Sequence, residues 1–313
     1  MEKYKHNMRI GLIGCGYLGK IHAKCIKEIK NFDLTGVYDI SVEAMQETAK
    51  QYGITTYSNL QTLIENCDAV DIVAATTAHF ELAKQAIAAG RHCFIEKPIT
   101  ATVEEAEGLV KLAQKHNVIV QIGHVERYNP AFIAALPHFT QPLIVEADRL
   151  CKFNLRGADV SVVHDLMIHD IDLVLSIMKN EIVDIQTTGC KYVTPSLDIV
   201  SARLLFAHGG VANLTASRVS EQPVRKMCIY QPENYITVNF QEKKVEKTTF
   251  QNNRPSIAEI SVTEHNAIVE ELSDFLQAIQ QNRIPEVTVN DGLNALYVAD
   301  KIVKKILRQN QYL

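Results

Sequence analysis

Residues 162–172 read VVHDLMIHDID, which sets two histidines and three aspartates among apolar side chains. Charges in so apolar a stretch are costly unless they are paired or put to use. On a helix turning about 100° per residue, Asp165, His169 and Asp172 fall near 0°, 40° and −20°, on one face; His164 and Asp170 fall near −100° and 140°. An acid, an imidazole and an acid on one face of an apolar helix would line a cavity. His169, with an unperturbed pKa of about 6.5, suits a general base. Asp165 and Asp172 could bind substrate hydroxyls or orient the imidazole. The competing reading is a satisfied buried histidine flanked by capping or salt-bridging acids. A helical zinc site uses histidines at i and i+4. His164 and His169 are i and i+5, and no further His/Cys cluster follows by spacing, so no metal is expected.

A second chemical stretch is GLIGCGYLGKIHA. It places Gly14-x-Gly16-x-x-Gly19 after a strand pattern and at the start of a helix pattern. Gly14 would allow the tight turn, Gly16 a close approach to a pyrophosphate, and Gly19 close packing of helix on strand. The helix N-terminus would offer free N–H groups to phosphates. Asp39 ends the next strand pattern about 20 residues after Gly19, where a ribose-binding carboxylate belongs. Its charge would repel a 2′-phosphate and no arginine follows in YDISVEA, so NAD is expected over NADP. Cys15, inside the loop, reads as a packing residue. In FIEKPIT, Lys97 follows a strand pattern on the side where open α/β sheets bind ligands, and Pro98 helps fix the turn. A lysine there could hydrogen-bond a reacting oxygen or lie solvated.

The elements that must carry these residues divide near residue 123. Up to it, the strand patterns MRIGLIG, FDLTGVYD, AVDIVAA, HCFIEKP and VIVQIG alternate with amphipathic helical patterns, one opening with a Thr102-x-x-Glu105 capping box. This predicts an α/β fold: a Rossmann-type parallel sheet over 1–123. GHVERYNPAFIAALPHFTQP then breaks the rhythm with three prolines. A helix around 160–178 and a run of strand patterns (IVDIQTTGCKYV, DIVSARLLFA, GVANLTASRV, RKMCIYQP, NYITVNF) predict an α+β domain over 124–313 with an open, mostly antiparallel sheet. Two helical patterns close it.

The 313 residues are 47% hydrophobic and 22% charged with net charge −4, which suits a globular chain and offers no nucleic-acid or anionic-membrane surface. The seven cysteines form no C-x-x-C pair and fit a reducing cytoplasm. No apolar run is long enough for a signal-peptide core or a membrane span.

Taken together, Glu96-Lys97-Pro98, GCGYLGKIHA with His22, ATTAHFELA with His79, and Asp165-x-x-x-His169-x-x-Asp172 resemble the Gfo/Idh/MocA oxidoreductases over nearly the whole chain. The chain departs from the family at Ala75, where proline is frequent, and in the DVSVVHD lead-in, where glycines are common. The resemblance implies dinucleotide contacts from Gly14, Cys15, Gly16, Tyr17, Leu18, Gly19, Asp39, Thr76, His79, Glu96 and Lys97. It implies catalysis by Lys97, His169 and Asp165. GHVERYNPAF and DVSVVHDLMIHDID further resemble the branch that oxidises carbon 3 of UDP-N-acetylglucosamine.

Among residues of lesser weight, Arg127 and Tyr128 could reach substrate, or Arg127 could form an interdomain salt bridge. Arg149, Lys152 and Arg156 could hold a diphosphate or form a solvated face, and Arg218 and Arg225 carry the same ambiguity. His124 reads as structural. The expected activity is NAD-dependent hydride transfer with a sugar or nucleotide sugar. The alternatives are a free sugar, inositol or non-sugar substrate, and a non-catalytic NAD-binding sensor. The open sheet predicts a homodimer or homotetramer.

Overall fold

The computed structural model describes residues 7–154, 157 and 160–309. The alternating patterns of the first part form β1 (Met8–Ile13), α1 (Tyr17–Glu28), β2 (Phe32–Tyr38), α2 (Val42–Tyr52), β3 (Thr55–Thr56), α3 (Leu60–Glu65), β4 (Ala69–Ile72), α4 (Thr76–Ala88), β5 (His92–Glu96), α5 (Val103–His116) and β6 (Val120–Gly123). The six strands are parallel, in the order β3-β2-β1-β4-β5-β6. The order reverses between β1 and β4, so the carboxyl ends of these strands open on the place where such sheets bind ligands. β4 and β6 are buried along their whole length, which explains why their patterns are apolar but for one polar residue each, Asp71 and Gln121. α5 starts as the capping box: Thr102 Oγ1 accepts the Glu105 N–H and Glu105 Oε2 accepts the Thr102 N–H.

The second part contains α6 (Pro130–Ala135), β7 (Ile144–Leu150), α7 (Ile168–Met178), β8 (Ile182–Cys190), β9 (Ile199–Phe206), β10 (Val211–Ser217), β11 (Val224–Tyr230), β12 (Asn234–Asn239), β13 (Lys244–Gln251), β14 (Arg254–Ile260), α8 (Ala267–Gln281) and α9 (Val289–Gln309). Its eight strands run β14-β13-β12-β11-β7-β10-β9-β8. Every neighbouring pair is antiparallel except β7 with β10. Alternate residues, among them Val145, Leu204, Leu214, Ile229 and Ile236, face a core shared with Phe132, Ile171, Val174 and Ile302.

The chain forms two compact units, and they are discontinuous. One takes the residues up to Val125 with Asn266–Leu293; the other takes Glu126–His265 with the residues from Asn294 on. The sequence reading left 266–293 in the second domain. The apolar stripe of α8 explains the difference: Leu272, Phe275, Leu276 and Ile279 join the core of the parallel-sheet unit, with the Phe275 and Phe94 rings edge-on at 5.9 Å. Among the described residues no helix is long and apolar enough to cross a membrane.

Candidate active site

In the glycine loop the glycines divide by what limits them. Gly14 has φ +104°, and a Cβ there would lie 2.7 Å from the Val73 backbone. A Cβ on Gly19 would lie 2.0 Å from the Gly14 carbonyl oxygen. Both are required by the fold itself. A Cβ on Gly16 would meet nothing within 4 Å, so only an approaching ligand needs glycine there. α1 starts at this point with no side-chain cap and no acid in its first turn, leaving its N–H groups open to an anion. Asp39 takes the Cys15 N–H at 2.5 Å and the Ser41 N–H at 2.7 Å, which fixes a carboxylate beside the loop. A helix start without a side-chain cap, room at Gly16 and a nearby carboxylate are what a dinucleotide fits. Tyr17 is exposed, Leu18 and Thr76 are half-buried, and Cys15 is buried with its thiol pushed up to about 11, first by burial and then by Asp39.

At the end of β5, Glu96 Oε2 accepts the Lys97 N–H at 3.1 Å, and the Lys97–Pro98 bond is cis. Lys97 is half-buried. His79 is buried with Nδ1 2.9 Å from the Pro98 carbonyl oxygen and Nε2 3.0 Å from that of Ala74. Burial lowers its pKa against the pull of these two carbonyls. His79 thus ties the loop after β4 to the turn carrying Lys97. Beneath that turn, buried His22 contacts Asp71 at 2.9 Å and Glu96 at 3.3 Å.

In the second unit, the segment before α7 is a π turn over Val163–Met167; the Ile168 N–H reaches back to the Val163 carbonyl. One extra residue in a turn offsets all that precedes it by about 100°. The expected wheel over 165–172 thus spans two helix types, with 165–167 in the π turn and 168–172 in α7. His164, Asp165 and His169 are half-buried, whereas Asp170 and Asp172 are buried. Gly157 passes close to Asp165: a Cβ there would lie 2.8 Å from Asp165 Oδ2. Arg218 holds that stretch by donating to the carbonyls of Gly157 and Val160 at 2.9 and 2.7 Å. Burial lowers the His164 pKa.

The oxidoreductase family with an NAD-binding Rossmann fold, GFO_IDH_MocA, matches residues 8–124. UDP-N-acetylglucosamine 3-dehydrogenase of Acidithiobacillus ferrooxidans is 36% identical over 288 residues, which are 88% of this chain and 90% of that protein. This chain belongs to the Gfo/Idh/MocA oxidoreductase family. A solved structure of the Acidithiobacillus enzyme matches with a TM-score of 0.93 at 34% identity, covering 97% of this chain and 99% of that one. Myo-inositol 2-dehydrogenase of Thermotoga maritima is 25% identical over 324 residues, 95% of this chain and 97% of that protein. Levoglucosan dehydrogenase, solved with NADH and levoglucosan, shares the fold with a TM-score of 0.87 at 19% identity, over 97% of this chain and 98% of that one.

In this oxidoreductase several expected ligand contacts are engaged internally. Arg127 is buried and bidentate to Asp172. Arg149 is buried between Asp170, at 2.9 and 2.8 Å, and Glu126, at 2.8 Å. Tyr128 is buried, and its carbonyl lies 2.9 Å from His265 Nε2. His124 is buried; Lys152 and Arg225 are exposed. Arg156 lies outside the described residues. Sequence reasoning did not single out Glu126, Asp71 or Glu271. Asp71 had a signal: an aspartate inside AVDIVAA needs a buried partner. So did Glu271, which sits on the apolar stripe of α8 one residue before Leu272.

Proposed function

We propose that this oxidoreductase oxidises carbon 3 of UDP-N-acetylglucosamine with NAD. The observation that carries this reading is the 36% identity with a UDP-N-acetylglucosamine 3-dehydrogenase along 88% of the chain. Bound NAD supplies the hydride acceptor. Gly14, Gly16 and Gly19 and the open N-terminus of α1 would hold its pyrophosphate, and Asp39 its adenosine ribose, which disfavours a 2′-phosphate. Lys97 hydrogen-bonds the reacting oxygen as negative charge develops on it. His169 takes the hydroxyl proton, and Asp165 orients substrate or imidazole. Asp172, Arg127 and Arg149 act from the core by fixing α7 and β7. A free sugar or inositol is the second reading. It is favoured by the internal pairing of Arg149, which removes one cation from the diphosphate-binding set.

The test is reduction of NAD and NADP with UDP-N-acetylglucosamine, N-acetylglucosamine and myo-inositol, in the parent and in Lys97→Ala and His169→Ala. Parent turnover in either variant overturns the role assigned to that residue, and turnover of the free sugars alone overturns the substrate. The outer face of the eight-stranded sheet carries Ile144, a Tyr230–Tyr235–Phe250 row and Ile257. This supports assembly of two or four copies through that face; a monomer by light scattering would overturn it. The free cysteines, four of them buried, fit a reducing cytoplasm.

A further inference from the structure

Four ionisable groups lie buried together beneath the Lys97 turn, and hydride transfer as proposed uses none of them. They are His22 on α1, Asp71 on β4, Glu96 on β5 and Glu271 on α8. His22 Nδ1 lies 2.9 Å from Asp71 Oδ2. A His22 ring nitrogen, a Glu96 oxygen and a Glu271 oxygen all lie within 4.8 Å of one another. Glu96 Oε2 accepts the Lys97 N–H, and a Cβ on Gly123 would meet Glu96 Oε1 at 2.6 Å, so Glu96 has little freedom on that side.

Three carboxylates cannot all stay ionised around one imidazolium in an apolar core without a heavy desolvation cost. Asp71 and Glu96 each contact His22 directly. Glu271 is different. Neither of its carboxyl oxygens has a hydrogen-bond partner, and only its backbone carbonyl is used, accepting from Gln121 Nε2 at 2.7 Å. Burial, then the charge of Glu96, raises the Glu271 carboxyl well above the ordinary range, with Asp71 adding and His22 opposing. Burial also raises Glu96, but the His22 bond and the charges of His22 and Lys97 outweigh it and leave Glu96 lowered. The thiol of Cys25, one turn along α1, is raised and stays neutral.

We propose that Glu271 is a positioning residue for Lys97: as a neutral carboxyl it directs its proton at Glu96 and steadies the carboxylate that holds the Lys97 turn. This rests on the reading of Lys97 as the group at the reacting oxygen. The proton sits on Glu271, the member of the cluster that lacks a cationic contact. A glutamine, equal in shape and also a donor, does the same work; a leucine cannot.

The experiment uses Glu271→Gln, Glu271→Leu and Lys97→Ala, with UDP-N-acetylglucosamine and NAD. Glu271→Gln keeps the parent kcat and pH profile. Glu271→Leu lowers kcat about 10- to 100-fold through misplacement of Lys97, displaces the pH profile and leaves the KM for NAD unchanged. Infrared spectroscopy shows a protonated-carboxyl band in the parent and in Lys97→Ala that is missing in Glu271→Gln. Should Glu271→Leu fail to fold, Glu271→Gln and the band still decide. Equal losses in Glu271→Gln and Glu271→Leu, a band that survives Glu271→Gln, or stoichiometric metal in the purified parent each overturn the inference. Parent turnover in Glu271→Leu while Lys97→Ala is inactive overturns it alone. Parent turnover in Lys97→Ala overturns the reading of Lys97.

Discussion

Arg127 grips Asp172 with Nε to Oδ2 at 2.7 Å and Nη2 to Oδ1 at 2.8 Å, and both side chains are buried. The planar fork matches the carboxylate, so the pair locks α7 to the turn that follows β6. Removing one partner leaves the other charge buried and alone. Asp172→Ala and Arg127→Ala should each lower stability by about 3–5 kcal/mol, read as a drop in the urea midpoint. Arg127→Lys should also destabilise, since an ammonium cannot span both oxygens. If Asp172 served substrate alone, Asp172→Ala would change KM and leave the midpoint in place.

Arg149 makes a second such node, between Glu126 and Asp170. Burial opposes its charge, but the two carboxylates outweigh burial and keep the guanidinium firmly protonated. Arg149→Met alone should cost about 3–5 kcal/mol, because two buried carboxylates then face each other. Adding Glu126→Gln and Asp170→Asn should recover most of that loss. The three-variant series by chemical unfolding checks the coupling. Additive losses would mean that the three residues act independently.

The glycine loop separates fold from ligand. Gly19→Ala drives a Cβ to 2.0 Å from the Gly14 carbonyl oxygen and should lower the melting temperature. Gly16→Ala meets nothing within 4 Å and should melt with the parent. Its methyl group should instead weaken cofactor binding by about tenfold or more, the effect of roughly 1.4 kcal/mol lost to crowding of the phosphates. Calorimetric titration with NADH, beside thermal melting, tells the two apart. Equal cofactor affinity in Gly16→Ala would remove the loop from the pyrophosphate.

The parallel sheet was legible because its longer strands are largely buried, interrupted only by single polar residues such as Arg9 and Asp33, and alternate with helical patterns. β7, the strand at the middle of the larger sheet, was not read as a strand. Its inward residues are Val145, Ala147 and Arg149, and a core arginine breaks the apolar alternation that marks a strand. β13 and β14 were missed for another reason: at the edge of the sheet they bury few side chains. The histidine-aspartate segment was legible as a special place, but not in its helix type. A π turn depends on hydrogen bonding that residue types do not announce, so the turn over Val163–Met167 was not read. Asp172 looked like a ligand contact because its partner lies 45 residues away. Pairings of that separation leave no local trace.

The buried cluster around His22 sets the direction of the pH dependence. Burial lowers the His22 pKa, but Asp71 and Glu96 outweigh it, and the imidazole ends well above its ordinary value. Glu271 is also raised well above its own, by burial first. A group whose pKa is raised by folding holds its proton in the folded chain after the unfolded chain has lost it, so it stabilises fully at low pH and progressively less as pH rises. For Glu271 that loss starts near the unfolded value, about pH 4.3, and for His22 near pH 6.5; each contributes up to about 1.4 kcal/mol per pH unit. The unfolding free energy contributed by this cluster should therefore fall as pH rises from 5 to 9. Glu271→Gln cannot ionise in either state, so it should fall less steeply than the parent between pH 5 and 6.5. The two should run closer to parallel above that range only once the folded Glu271 has itself ionised. Urea unfolding of both proteins across this window provides the check. Equal slopes between pH 5 and 6.5 would place the proton elsewhere than on Glu271.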